Sequence, residues 1–213
     1  MLTLYGYFRS SASYRVRIAL HHKKIPFNNI EIHLLKNGGE QHSSDYQQLN
    51  PQALVPVLVT EDSQVITQSL SILHYLEAKY PEPSLIAKDA VQQSHILSLC
   101  YQVACDIHPL NNLRVLQYLE KQLGCNEKQK DAWYHHWILK GFEALEAALA
   151  SAKQNYCFGD NLTWADCCLI PQVYNAYRFK VPMHNFPNIR RMYEHCLTLP
   201  AVQAASPEND KTG

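Results

Sequence analysis

Strand signals occur only in the first 67 residues of this chain, and beyond Asp89 every periodic segment reads as helix. A chain patterned this way must build two unlike halves, one around a sheet and one without. The first half opens on a short apolar run, Leu2-Thr3-Leu4-Tyr5, which Gly6 breaks. A helix follows from the serines at 10, 11 and 13, with Val16, Ala19 and Leu20 at helical spacing. Ile25-Pro26 stops it. Residues 27–35 alternate as a strand through Ile30, Ile32 and Leu34. Lys36-Asn37-Gly38-Gly39 is a turn, and residues 40–49 hold a short irregular helix. After the Asn50-Pro51 loop come a strand at 55–59 that opens on Pro56 and a turn at Glu61-Asp62-Ser63. A strand at 65–67 leads into a helix from Gln68-Ser69 to Tyr80-Pro81.

The order strand–helix–strand, then strand–strand–helix, is that of an α/β thioredoxin-like unit, a mixed four-stranded sheet with helices packed on it. Residues 1–80 therefore form the first domain, 81–88 a linker marked by Pro81-Glu82-Pro83-Ser84, and 89–213 an all-α domain. Helical spacing covers 89–122, 127–152, 163–178 and 187–198. Thr163-Trp164-Ala165-Asp166 is a capping box. Leu162 is placed to pack on Cys167, and Pro171 is expected to kink the helix that follows. The polar stretch from Ser206 to Gly213 is expected to be loose.

Lysine plus arginine equals aspartate plus glutamate, 19 against 19. That balance argues against a nucleic-acid partner. No apolar run approaches the ~20 residues that span a bilayer, and no signal peptide is read at the N-terminus. The seven cysteines include no C-x-x-C pair. They read as reduced thiols of a cytoplasmic protein, with no disulfide framework and no structural zinc. Adjacent histidines at 21–22 and 135–136 diverge around a helix and make no metal site.

Three places in the first domain can carry chemistry. Ser10, Ser11 and Ser13 stand where a loop becomes a helix, and a helix start favours an anion. With hydroxyls and no glycine-rich phosphate loop, a small anion such as a thiolate fits. Val55-Pro56 opens a strand; a cis bond there would leave the Val55 backbone to pair with a peptide-like ligand, while proline statistics favour trans. Gln68-Ser69 sets an amide and a hydroxyl at a helix N-terminus, which suits a carboxylate. A sulfur anion, a peptide backbone and a carboxylate are the parts of glutathione.

The string Arg9-Ser10-Ser11-Ala12-Ser13-Tyr14-Arg15-Val16-Arg17-Ile18-Ala19-Leu20 resembles the signature of the zeta class of glutathione transferases. So do Asn37-Gly38-Gly39-Glu40-Gln41, Leu49-Asn50-Pro51 with Val55-Pro56, Gln68-Ser69-Leu70, residues 106–113, Gly159-Asp160, 163–166, 169–173 and Arg178-Phe179-Lys180-Val181. The resemblance implies the glutathione transferase fold, a homodimer, and glutathione as cofactor in the first domain, with the second substrate between the domains. Ser10 is then the catalytic serine, with Ser11 and Arg9 beside it. Ser10, Ser11, Ser13, Tyr14, Arg15, Gln41, Val55, Gln68, Ser69, His108, Asn112, Leu113 and Arg114 are the implied glutathione contacts. Arg9 and Arg178 are the implied substrate contacts. His108 stands where the family more often has glutamine, and Ala12 where it usually has cysteine, so no sulfur of this chain can act at that position. Tyr14 replaces the usual tryptophan. Tyr7 is the fallback for Ser10, since other classes use a tyrosine.

The activity so implied is the glutathione-dependent cis–trans isomerisation of maleylacetoacetate, an unsaturated diketo acid, to fumarylacetoacetate in tyrosine and phenylalanine breakdown. Maleylpyruvate and α-halo acids are the alternative substrates. A non-catalytic binding module is the reading from outside the enzymes.

Overall fold

The computed structural model describes residues 1–210. It divides into two compact units: Met1–Ile86 together with the C-terminal segment from Leu197, and Ala87–Cys196.

In the first unit β1 (Leu2–Gly6) alternates buried and half-buried, with Leu2 and Leu4 inward. It lies between β2 (Phe27–Glu31), parallel to it, and β3 (Val57–Val59), antiparallel; β4 (Val65–Thr67) pairs antiparallel with β3. The order is β2-β1-β3-β4, the mixed four-stranded sheet expected. β2 stops at Glu31, short of the expected Leu35, because β1 gives out: Gly6 faces Glu31, and Ile32 N–H takes the Gly6 carbonyl as the last rung. Ile30 is exposed on this edge, so its alternation with Ile32 marks no core face.

α1 (Ser11–His22) is buried from Ser13 to Leu20 because α3 (Ser69–Lys79) and α9 (Pro200–Ala205) both pack on it. The sequence reading missed α9 and ran the helical domain to the C-terminus; residues from Leu197 instead pack with the first unit. Tyr14 Oη donates to the Val202 carbonyl at 3.3 Å, and Arg17 Nε to Ala205 O at 2.9 Å. Asp210 then closes on Arg17 Nη1 at 3.0 Å, with the two side chains 6% and 2% exposed. The expected looseness of this tail is thereby corrected as far as Asp210: a buried ion pair and the Asn29 amide, 2.7 Å from Asp210 Oδ1, hold it. Residues 211–213 lie outside the described part. A short helix, α2 (Ser44–Leu49), joins β2 to β3, and the Val55–Pro56 and Glu82–Pro83 bonds are cis.

The second unit is helical throughout its elements. Its first segment is not the continuous helix expected. α4 (Ala90–Tyr101) runs into a π turn at Gln102–Ile107 and a 3₁₀ turn at His108–Asn111, before α5 (Leu113–Lys121) restarts. Pro109 has no N–H to continue the ladder, and Asn112 Oδ1 caps the new helix by accepting from Arg114 N–H. α6 (Glu127–Ala148) buries Tyr134, Ile138, Phe142 and Leu145 at the spacing of one helical face. α7 (Trp164–Arg178) is buried from Trp164 to Val173, and α4 and α8 (Pro187–Cys196) pack against it; Pro171 does not end it. The capping box is present. Asp166 Oδ2 accepts from Thr163 N–H and Oγ1–H, both at 2.8 Å, and Oδ1 from Cys157 N–H at 2.8 Å.

Candidate functional site

Strand pairing brings four chain segments to one end of the sheet. Tyr5, near the end of β1, faces Val57, the first residue of β3, and Val57 faces Thr67, the last of β4. β2 ends beside Gly6. The serine loop, the segment after β2, the Val55-Pro56 approach and the start of α3 therefore all lie at this end. Open α/β sheets bind ligands outside the carboxyl ends of their strands.

Ser10 is the N-cap of α1. Its Oγ accepts from Ser13 N–H at 3.2 Å, so its own O–H remains to donate. It is half-buried, while Ser11 is buried. Gly6 lets the helix start close to the sheet, since a Cβ there would lie 3.1 Å from Ser13 Oγ. Arg17, from inside the helix, donates to Phe8 O at 2.9 Å and to Tyr7 O at 3.5 Å, which pins the loop that carries Arg9 and Ser10. Arg9 is exposed, its guanidinium 4.9 Å from the centre of the Phe8 ring.

Three implied contacts are turned inward and already have partners within the protein. Ser13 is buried and accepts from Tyr7 N–H. Tyr14 is committed to α9. Arg15 is 2% exposed and reaches Ser69 Oγ at 3.2 Å. Tyr7 is also buried, edge-on to Phe8 and to His33, while Ser10 at the helix start is half-buried.

Gln41 follows a closed loop in which Glu40 takes the His33 N–H at 2.6 Å and returns its own N–H to His33 O at 3.0 Å. Gly39, at φ +102°, leaves room for the Gln41 amide, which a Cβ would meet at 2.6 Å. Gln41 is buried, and its Oε1 has no partner among the described residues. Val55 follows a loop held at the Leu54 carbonyl by Tyr46 Oη at 2.7 Å and Asn50 Nδ2 at 2.8 Å. Sequence reasoning assigned Tyr46 nothing; burial pushes its phenol up, which keeps it a donor. Gln68 is exposed at φ +66°, ψ +118°, strained for a side-chain-bearing residue, and its amide donates to Gln52 Oε1 at 2.8 Å. Ser69 opens α3.

These groups fit glutathione. An orphaned buried amide oxygen suits a ligand N–H, a helix start with a buried arginine behind it suits a carboxylate, and a hydroxyl at a second helix start suits a thiolate.

His108, Asn112, Leu113 and Arg114 cluster in the second unit where α5 begins. His108 Nε2 lies 3.4 Å from Asn112 Nδ2, while Asn112 Oδ1 is spent as the cap. Arg178 ends α7 exposed. Its Nη1 donates to Asn175 Oδ1 at 3.2 Å, and its guanidinium lies 4.8 Å from the centre of the Phe179 ring, which stacks on Tyr134 at 3.9 Å. Neither Arg9 nor Arg178 is within ion-pair distance of a carboxylate among the described residues. All cysteines lie between 100 and 196, and no group of three metal-ligating side chains occurs among the described residues.

Family models for the N-terminal and C-terminal domains of glutathione S-transferase match residues 9–79 and 135–200. The chain is 45% identical over 208 residues to a Vibrio cholerae protein named "Probable maleylacetoacetate isomerase", covering 98% of this chain and 96% of that one. A solved holo structure of a maleylpyruvate isomerase, described as a bacterial zeta-class transferase, superposes with a TM-score of 0.94 at 41% identity and 98% coverage of both chains. A maleylacetoacetate isomerase from Anaeromyxobacter dehalogenans, solved with glutathione in its active site, gives 0.88 at 34% identity, covering 99% of this chain and 97% of the other.

Proposed function

The chain belongs to the glutathione S-transferase family, and from that premise we propose that it is a zeta-class member that uses glutathione as cofactor to isomerise maleylacetoacetate to fumarylacetoacetate. When bound, glutathione supplies the thiolate that adds to the cis double bond and leaves once the bond has rotated. The residues of this chain bind, orient and stabilise charge. Ser10 Oγ carries the reading: it accepts from Ser13 N–H, and its own O–H remains to donate to an anion at the helix start. Bringing a thiol of pKa about 8.5 down by two units takes about 2.7 kcal/mol. A hydroxyl donating to the anion supplies roughly 1.5–3 kcal/mol, and the α1 N-terminus adds about 0.3–1. No general base is required, and Ser10 keeps its proton throughout.

Gln41 and Val55 hold the peptide portion, and Gln68 and Ser69 hold a carboxylate. Arg9 and Arg178 receive the substrate carboxylates and the charge that builds on the carbonyl oxygen next to the attacked bond; each is braced on a phenylalanine ring and spends no charge on a carboxylate among the described residues. The protein acts as a homodimer in the cytoplasm. Free thiols at all seven cysteines support the reducing compartment. Val91 and Tyr101, left exposed on α4, support a partner surface, which light scattering tests directly.

Likeness to a maleylpyruvate isomerase keeps that substrate as the second reading. The test is a side-by-side assay of maleylacetoacetate, maleylpyruvate and dichloroacetate, each with and without glutathione. The proposal expects the highest kcat/KM on maleylacetoacetate and none without glutathione. Preference for maleylpyruvate would transfer the assignment, and turnover without glutathione would end it.

A further inference from the structure

α7 ends at Arg178 in a turn that its own residues do not favour. Val181 N–H reaches back to Ala176 O at 2.9 Å and Lys180 N–H to Tyr177 O at 3.0 Å, the two bonds of a Schellman closure. That closure puts Lys180 at φ +55°, the left-handed region where glycine is the usual residue. Phe179 is the C-cap, and its carbonyl is among the last four that no intrahelical N–H reaches. His135 of α6 takes it, with Nε2 2.7 Å from Phe179 O. A carbonyl only accepts, so this nitrogen carries the proton. The residue before His135 holds the same cap by its ring: Tyr134 stacks on Phe179 with centroids 3.9 Å apart and planes 18° apart. The stack alone leaves the cap room to shift, because a cavity of about 150 Å³ borders both rings, with Leu113 and Leu116 of α5 on its other walls.

We propose that His135 is a positioning residue for Arg178: its Nε2–H anchors the Phe179 carbonyl and so sets where the Arg178 guanidinium meets a substrate carboxylate. The inference rests on the proposed role of Arg178 in the isomerisation. An arginine fork binds a carboxylate through two parallel bonds, so its angle counts as much as its distance. Arg178 is exposed, and it is steered by the Phe179 ring 4.8 Å away and by Asn175 Oδ1, which accepts from Nη1 at 3.2 Å. A shift of the cap moves that ring. The neighbours of His135 give the anchor a second consequence. Trp133 Nε1 donates to Leu110 O at 2.8 Å, and Asn111 Nδ2 donates to Tyr134 O at 3.3 Å. Residues 133–135, within one turn of α6, thus hold both the α7 cap and the turn that leads to Asn112 and Arg114. His135 need not touch the substrate. A histidine that only satisfied a carbonyl would change stability when replaced, without singling out one of two substrates.

The experiment measures KM for glutathione and for maleylacetoacetate, or for maleylpyruvate if that is turned over better, on wild type, His135→Leu, His135→Gln, Arg178→Ala and the His135→Leu/Arg178→Ala pair. His135→Leu should raise KM for the diketo acid by about 3- to 10-fold, the value of one hydrogen bond, and leave KM for glutathione within about 2-fold. The glutamine amide can donate from nearly the same place, so His135→Gln should recover most of the loss. With Arg178 already removed, His135→Leu should change KM for the diketo acid by less than about 2-fold. A readout that needs no folded variant is the imidazole ¹⁵N spectrum of the unmodified protein, which should show His135 with its proton on Nε2. A bare Nε2, an equal rise in both KM values, no rescue by glutamine, or full additivity in the pair overturns the proposal while the isomerase reading stands. Arg178→Ala without effect on the diketo acid does the same. Wild type that turns over neither diketo acid with glutathione overturns both.

Discussion

The tail that closes on α1 offers the sharpest test of the packing argument. Asp210→Ala removes the carboxylate paired with Arg17 at 3.0 Å and the acceptor for the Asn29 amide at 2.7 Å. With 2% and 6% exposure the pair is fully enclosed, and taking one partner from such a pair costs about 3–5 kcal/mol because the other charge is stranded. Arg17 keeps the carbonyls of Ala205, Phe8 and Tyr7, which places the cost at the low end, about 3 kcal/mol. For a chain of this length each kcal/mol moves Tm by about 2–4 °C, so calorimetry should show a fall of about 6–12 °C. Asp210→Asn keeps the size and loses the charge, and should show most of the same fall. The disturbance should also reach Ser10, since Arg17 holds the Phe8 and Tyr7 carbonyls. Hydrogen exchange at residues 7–11 should quicken in both variants while α6 and α7 stay protected. A Tm within about 1 °C of wild type, or unchanged exchange in the serine loop, would mean that the tail merely lies on α1.

Ser10→Ala should lower kcat/KM by roughly 10- to 150-fold, the value of one hydrogen bond to an anion, and raise the thiol pKa of bound glutathione, read from thiolate absorbance; unchanged turnover would move the role to Ser11. Arg178→Ala should raise KM for the diketo acid well above its effect on KM for glutathione, and equal effects would remove Arg178 from substrate binding. Burial lowers the pKa of His21 and His22, with Arg17 adding to the first and Lys23 to the second. The unfolded chain therefore takes up protons at these sites first, and stability should fall as pH drops from about 6.5 toward the lowered native values. Replacing both with glutamine should flatten that stretch of the stability–pH curve; an unaltered slope would place the titration elsewhere.

How much of this was legible from residues alone depends on the range of the forces involved. The strand–loop–helix at the N-terminus, the Thr163–Asp166 capping box and the helix opened by Gln68-Ser69 rest on contacts a few residues apart, and local spacing carries them. What sequence could not reach was set at long range. α9 is six residues with Pro200 at its start, and it is ordered by Tyr14 and Arg17, 188 residues earlier. The helix expected over 89–122 breaks where Pro109 and the Asn112 cap interrupt a run whose apolar spacing continues. The same distinction governs the candidate site. Motifs placed Ser10, Gln41, Val55 and Ser69 at one end of the sheet, because helix starts and strand ends fix backbone position. They did not reveal which way the helix interior faces, nor that Ser13, Tyr14 and Arg15 are buried with partners inside the protein. The three part company only through their partners: Ser13 holds the Tyr7 N–H, Tyr14 meets an α9 carbonyl, and Arg15 alone meets a hydroxyl at the start of a helix. A helix packed on both flanks must give each of its polar residues an acceptor or leave one waiting. That accounting, which no spacing rule contains, separates an arginine held by a carboxylate from one that meets a single hydroxyl two positions away on α1.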